Sequence, residues 1–186
     1  MKTLENPQTI RVTEEFYKKL SDAHYEFLDY WLNHILFHWD FFLSLFLTFL
    51  PWVLWLIFRK KESTSRLLFV GFFVLMITSW LDFLGSMYGF WLYSGKAVPT
   101  MPCYIPWDTS ILPVFAMFLI QYKPNTSPVL KALIFAGVSA FIGEPLFLWL
   151  GFYVLIKWSL FYSFPIYCLI YLVCHKLSRV NKFAEI

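Results

Sequence analysis

The chain has 186 residues, of which 59% belong to the Ala, Val, Ile, Leu, Met, Phe, Trp, Tyr and Cys set and only 15% are charged. A soluble domain is about 45–50% apolar and about 25% charged, and 22 Phe, 11 Tyr and 9 Trp are more than one small core can hide. The composition reads as an integral membrane protein and argues against disorder, a disulfide scaffold or a soluble enzyme. The net charge of +3 does not point to nucleic acid, and three cysteines make no disulfide framework.

Residues 1–33 are too polar and too evenly charged for a cleavable signal peptide. Within them Phe16, Leu20, Phe27 and Trp31 recur at roughly helical spacing between Glu14, Lys18, Asp22, Glu26 and Asp29. An amphipathic helix is expected, either lying at the outer membrane interface or extending the first span into solvent. A membrane crossing needs about 20 mostly apolar residues, and five stretches come close: 34–58, 67–91, 107–122, 132–156 and 158–174. The expected fold is an all-α membrane protein, a bundle of about five transmembrane helices over 34–176 with a cytoplasmic tail at 177–186. The third stretch is the weakest, with Asp108 at its start and Pro113 inside. Pro51, Pro113, Pro145 and Pro165 punctuate four of the five.

Basic residues set the expected orientation. Arg59, Lys60, Lys61, Arg66, Lys123, Lys131, Lys176, Arg179 and Lys182 fall in the loops after spans one, three and five, against Lys96 and Lys157 on the opposite side. The N-terminus is then outside and the C-terminus cytoplasmic, in a multi-pass protein of the cell membrane.

Between Ser63 and Ala184 the only acids are Asp82, Asp108 and Glu144, and all three fall in or at the edge of expected spans. A charge at mid-membrane costs about 2.5–3.5 kcal/mol on insertion scales, so such residues face the bundle interior and have a role. Counted along the expected spans, Asp82 lies about 14 Å and Glu144 about 18 Å from the outer end. Asp82, Gly85 and Gly89 share a helical face, as do Gly137, Ala140, Glu144 and Gly151, and small residues allow helices to approach. No Lys or Arg is expected at that depth. A plain structural role, a protonated carboxyl hydrogen-bonding two helices, competes with a ligand- or proton-handling site. His34 and His38 stand four apart as a metal pair would, but no third ligand is near and neither metal nor cofactor is expected. Trp31, Trp39, Trp91, Trp107 and Trp158 fall near the outer boundary, as aromatic belts do. Asp82 and Glu144 are each followed seven residues on by a glycine and two aromatics, Gly89-Phe90-Trp91 and Gly151-Phe152-Tyr153, a faint internal repeat.

Four strings, LDFLGSMYGFWLY, PWDTSILPVFAMFLIQY, FIGEPLFLWLGFY and KWSLFYSFPIY, together resemble a functionally uncharacterised family of small multi-spanning membrane proteins of Bacillus- and Clostridium-type bacteria. The resemblance covers about residues 39–175. It implies that Asp82, Trp91, Tyr93, Asp108, Gln121, Glu144, Pro145, Tyr153, Trp158, Tyr162 and Tyr167 occupy family motif positions, and it supplies no activity.

The expected function is binding of a membrane lipid or other hydrophobic, lipid-like or cationic amphiphilic molecule in an acidic, aromatic-lined pocket near the outer leaflet. Asp82, Asp108 and Glu144 would provide its polar contacts, and Trp91, Tyr93, Trp107, Tyr153, Trp158, Tyr162 and Tyr167 its walls. Two alternatives stand beside it. One is an intramembrane enzyme using Asp82 and Glu144 as acid and base on an isoprenoid-type substrate. The other is a proton- or cation-coupled transporter, which with five spans calls for a homodimer.

Overall fold

Asn6 opens the first helix: its side chain accepts the Gln8 amide at 3.0 Å, and Pro7 takes the first helical position, where its missing N–H does no harm. The computed structural model of the protein describes residues 6–101 and 103–180. Lys2 and, from residue 181 on, the expected tail with Lys182 lie outside the described residues. Helix α1 spans Pro7–His34 and leaves its apolar stripe uncovered, with Phe16 and Leu20 exposed. Trp31 alone on it is buried, and its indole N–H donates to the Lys96 carbonyl at 2.6 Å. That bond ties the C-terminal end of α1 to the bundle.

The chain then breaks. Residues 35–38 turn through Phe37, at φ 62°, and α2 runs only from Trp39 to Phe58. The first span is therefore shorter than the expected 34–58. His34 and His38 lie on either side of the break, so they share no helical face and the metal-pair geometry is absent. His34 instead places Nδ1 3.0 Å from the Tyr30 carbonyl.

Four helical stretches are long and apolar enough to cross a membrane: Trp39–Phe58, Lys61–Met87, Pro128–Trp149 and Leu160–Ser178. They contain α2, α3 (Thr64–Met87), α5 with α6 (Pro128–Val138 and Glu144–Trp149) and α7 (Leu160–Ser178). The stretch expected at 107–122 is shorter. A wide π-helical turn over Pro106–Ile111 leads into α4, Leu112–Gln121. Helix α4 touches α2, α3, α5 and α7, and Trp107, Asp108, Ser110, Leu112, Ala116 and Met117 are buried. Helix α4 is as apolar as its neighbours; what sets it apart is its length of 10 residues and the helices that wrap it.

A second π-helical turn, Ser139–Gly143, separates α5 from α6. Both wide turns run directly into a proline, Pro113 and Pro145, whose rings would clash with a tight preceding turn. The carbonyl that Pro113 leaves without a helical donor, that of Thr109, accepts the Trp52 indole N–H at 3.0 Å.

The expected spans 67–91 and 132–156 both overrun. Helix α3 stops at Met87 and α6 at Trp149. Gly89 and Gly151 then adopt φ of 67° and 78°, a conformation that side chains resist. The chain turns back, and β1 (Trp91–Tyr93) pairs antiparallel with β2 (Tyr153–Leu155), Tyr93 opposite Tyr153. The bundle is thus not purely α: a two-stranded cap sits at one end. The two echoing segments become the same helix–turn–strand unit, and their strands pair with each other.

At the other end the basic loops meet. The Gln121 side chain donates to the Phe58 carbonyl at 3.1 Å and accepts the Lys60 amide at 3.3 Å. Lys131 reaches the Tyr122 carbonyl and Arg179 the Pro124 carbonyl, each at 2.7 Å.

Candidate functional site

Because α3 and α6 end early, Asp82 and Glu144 each lie five residues before the last residue of their helix, about 7.5 Å at helical rise. Both carboxyls are therefore shallower than the expected spans placed them. The strand cap covers this end of the bundle, and each carboxyl is buried beneath it, Asp82 at 4% and Glu144 at 5% exposure.

Each acid is held by named donors. Asp82 accepts the Trp91 indole N–H on Oδ1 at 2.6 Å and the Tyr104 backbone N–H on Oδ2 at 2.8 Å. The same amide stands 3.2 Å from Oδ2 of Asp108, so Asp82 and Asp108 converge on one donor. The Asp108 carbonyl in turn accepts the Thr78 hydroxyl at 3.1 Å, which couples α3 to the π-helical turn before α4. Glu144 accepts the Tyr167 hydroxyl at 2.8 Å and the Ser163 hydroxyl at 3.1 Å, both from α7. Behind them stand two more indoles, Trp107 donating to the Tyr167 oxygen at 3.1 Å and Trp158 to the Ser163 oxygen at 3.0 Å. Three tryptophan N–H groups thus point into the polar network while their rings form its walls, the arrangement an indole favours when one edge is polar and the faces are not.

All three acids line one cavity of about 270 Å³, together with Trp91, Tyr93, Trp107, Tyr153, Trp158 and Tyr167. Of the ten candidate residues, Tyr162 alone stands apart: it is 58% exposed and meets only the edge of the Trp158 ring, 5.5 Å between centroids. The rings are layered. Tyr93 stacks on Tyr104 at 4.9 Å and on Tyr153 at 5.2 Å, and Trp91 meets Trp158 edge-on at 5.0 Å. On the side of α3 and α7 the lining is Leu81, Leu84, Tyr88, Ile166 and Ile170. Leu84 and Tyr88 are exposed on the outer surface of the bundle, so the cavity is walled there by apolar side chains at the molecular boundary.

The glycines near the acids serve rings more than helices. A Cβ at Gly85 would overlap the Trp91 ring, and one at Gly143 the Trp107 ring. Gly137, expected on the small-residue face, has open space beside it, and Gly89 and Gly151 lie past the helix ends.

Several contributors were not foreseen. Tyr104, fully buried, supplies the amide shared by two acids, and Ser163 and Thr78 supply hydroxyls. Tyr104 sits in an irregular loop, where no periodicity marks it. Lys96, expected in an outer loop away from the acids, folds back so that its ammonium lies 5.8 Å from the Tyr93 ring centre and donates to the Met101 carbonyl at 3.1 Å. Burial pulls its pKa below the ordinary lysine value, and the nearby charges of Asp82, Cys103 and Asp108 oppose that shift. Lys96 thus stands beside the cavity wall at Tyr93, on the side of Asp82 and Asp108.

No protein-family model matches the chain, and no curated protein or solved structure matches it.

Proposed function

We propose that the protein binds a lipid-like cationic amphiphile, its head group in the acidic cavity and its tail leaving past Leu84 and Tyr88. In this reading it belongs with the small multi-spanning bacterial proteins its motifs resemble, and sits in the cell membrane with the cavity toward the outer leaflet and the basic end cytoplasmic. The observation that carries the proposal is the convergence of Asp82, Asp108 and Glu144 on one aromatic-walled cavity. A cation there gains from the carboxyls and from the ring faces, the latter worth about 0.5–2 kcal/mol per contact. The volume is at the lower edge of the roughly 300–1,000 Å³ usual for small-molecule pockets, which suits a head group and excludes a whole lipid. The apolar wall at the boundary suits a tail.

The test is mass spectrometry of the full chain purified with its native lipids. Wild type is expected to retain an amphiphile that Asp82→Asn and Glu144→Gln lose, while circular dichroism keeps the helical signal of wild type. Retention by both variants sinks the proposal.

One observation favours a second reading, acid–base chemistry inside the membrane. Asp82 and Asp108 share an amide, whereas Glu144 is held by two hydroxyls, so one cavity offers carboxyls in two different environments. Comparing the lipids of membranes with and without the protein separates the two readings: a new product speaks for the enzyme, an unchanged bound amphiphile for the binder.

A further inference from the structure

At the basic end of the bundle one buried cation, Lys131, and one exposed cation, Arg179, donate to the same loop. Lys61, Arg66, Lys123 and Lys176 are exposed. Lys131 is 4% exposed and lies in the first turn of α5, four residues after its Ser127 cap, where the helix end is itself positive and disfavours a cation. Its ammonium makes one hydrogen bond among the described residues, to the neutral Tyr122 carbonyl. Arg179, at the C-terminal end of α7, donates to the Pro124 carbonyl, two residues along the same loop from the carbonyl that Lys131 holds. On α7, four residues before Arg179, the His175 Nδ1 is buried without a hydrogen-bond partner among the described residues. Among the described residues the one ion pair is Arg11–Glu15, on α1, and no described carboxylate pairs with either cation.

We infer that Lys131 and Arg179, with the start of α5 behind them, form a binding site for a phosphate-bearing anion. Such an anion is attracted by the ammonium and the guanidinium fork, and the positive end of α5 adds its field. The donors come from two helices, and an ammonium and a guanidinium both pair strongly with phosphate oxygens. The site lies at the ends of α5 and α7, at the level where head groups of anionic lipids run. It is at the opposite end from the acidic cavity and is independent of what that cavity binds.

The experiment places the full chain in nanodiscs of phosphatidylcholine alone or mixed with phosphatidylglycerol, and measures retained lipid by native mass spectrometry. Inorganic phosphate serves as the competing free anion. Phosphatidylglycerol is expected to be retained preferentially, and Lys131→Gln and Arg179→Gln to weaken that preference about tenfold each, the size of a lost hydrogen bond to a charged group. Lys131→Arg should keep it, and Lys61→Gln, the same charge change on an exposed side chain, should leave it unchanged. Arg179 is exposed, so its variant tests the site even where Lys131→Gln fails to fold. Competition by millimolar phosphate assigns the site to a free anion, and its failure assigns the site to the lipid; both support a phosphate site. No preference for either probe, or an equal loss in Lys61→Gln, overturns it and leaves only diffuse positive charge.

Discussion

Gly85 decides whether Asp82 keeps its strongest donor. The Trp91 ring occupies the space a Cβ would take, and its N–H reaches Asp82 at 2.6 Å from that position. Gly85→Ala is expected to push the indole aside, lowering stability by about 1–3 kcal/mol, the range for overpacking, and weakening retention of the amphiphile proposed for the cavity. Gly137→Ala, inside α5 with nothing within 4 Å of its Cβ, should cost no stability and gain up to about 1 kcal/mol of helix propensity. Thermal unfolding in detergent with lipid analysis of the same samples checks both; an undisturbed Gly85→Ala would remove the indole from the account of the site. At this scale the sequence is legible for acids and opaque for their partners. Asp82 and Glu144 stand out because an acid in an apolar run is expensive. Tyr104 and Ser163 act through a backbone amide and a small hydroxyl, groups that a sequence offers everywhere and singles out nowhere.

The cap is an element-scale device that hydropathy hides. Trp91–Tyr93 and Tyr153–Leu155 are as apolar as the helices before them, so a window reading for spans runs straight through the turn. What ends each helix is a glycine held at positive φ, and the spacing from acid to glycine is the same in both units. Those glycines were readable as small residues but not as turns, because their role depends on a pairing between strands about 60 residues apart in the chain. Gly89→Ala and Gly151→Ala are each expected to lose about 1–2 kcal/mol, the cost of the left-handed conformation for a residue with a Cβ. Since neither glycine has a neighbour within 4 Å of its Cβ, the loss would be conformational and not steric. Equal stability of both variants in chemical denaturation would mean the turns can re-form another way. Helix α4 falls short of a span by length and not by hydropathy: it has 10 residues, is touched by α2, α3, α5 and α7, and the turn that leads into it supplies Asp108 to the cavity.

For the whole molecule, the polar chemistry divides between two ends. The acids, Lys96, the strand cap and the tied end of α1 gather at one; Gln121 joins the loops that carry Lys60 and Lys131 at the other. This division is what the loop charges in the sequence anticipate, and it makes orientation testable with single cysteines, wild type being the blank because Cys103 and Cys174 are buried and Cys168 is partly so. Val98→Cys lies on the capped end and Lys61→Cys on the basic end, both at exposed positions. If basic loops face the cytoplasm, a membrane-impermeant maleimide on intact cells labels Val98→Cys and spares Lys61→Cys until the cells are broken. Tyr17→Cys, on the exposed face of α1, should label with Val98→Cys, because Trp31 ties that helix to the Lys96 loop. The reverse pattern would turn the cavity toward the cytoplasmic leaflet. An amphiphile would then have to be drawn from that leaflet, and the phosphate site would face outward, away from the anionic inner surface that favours it.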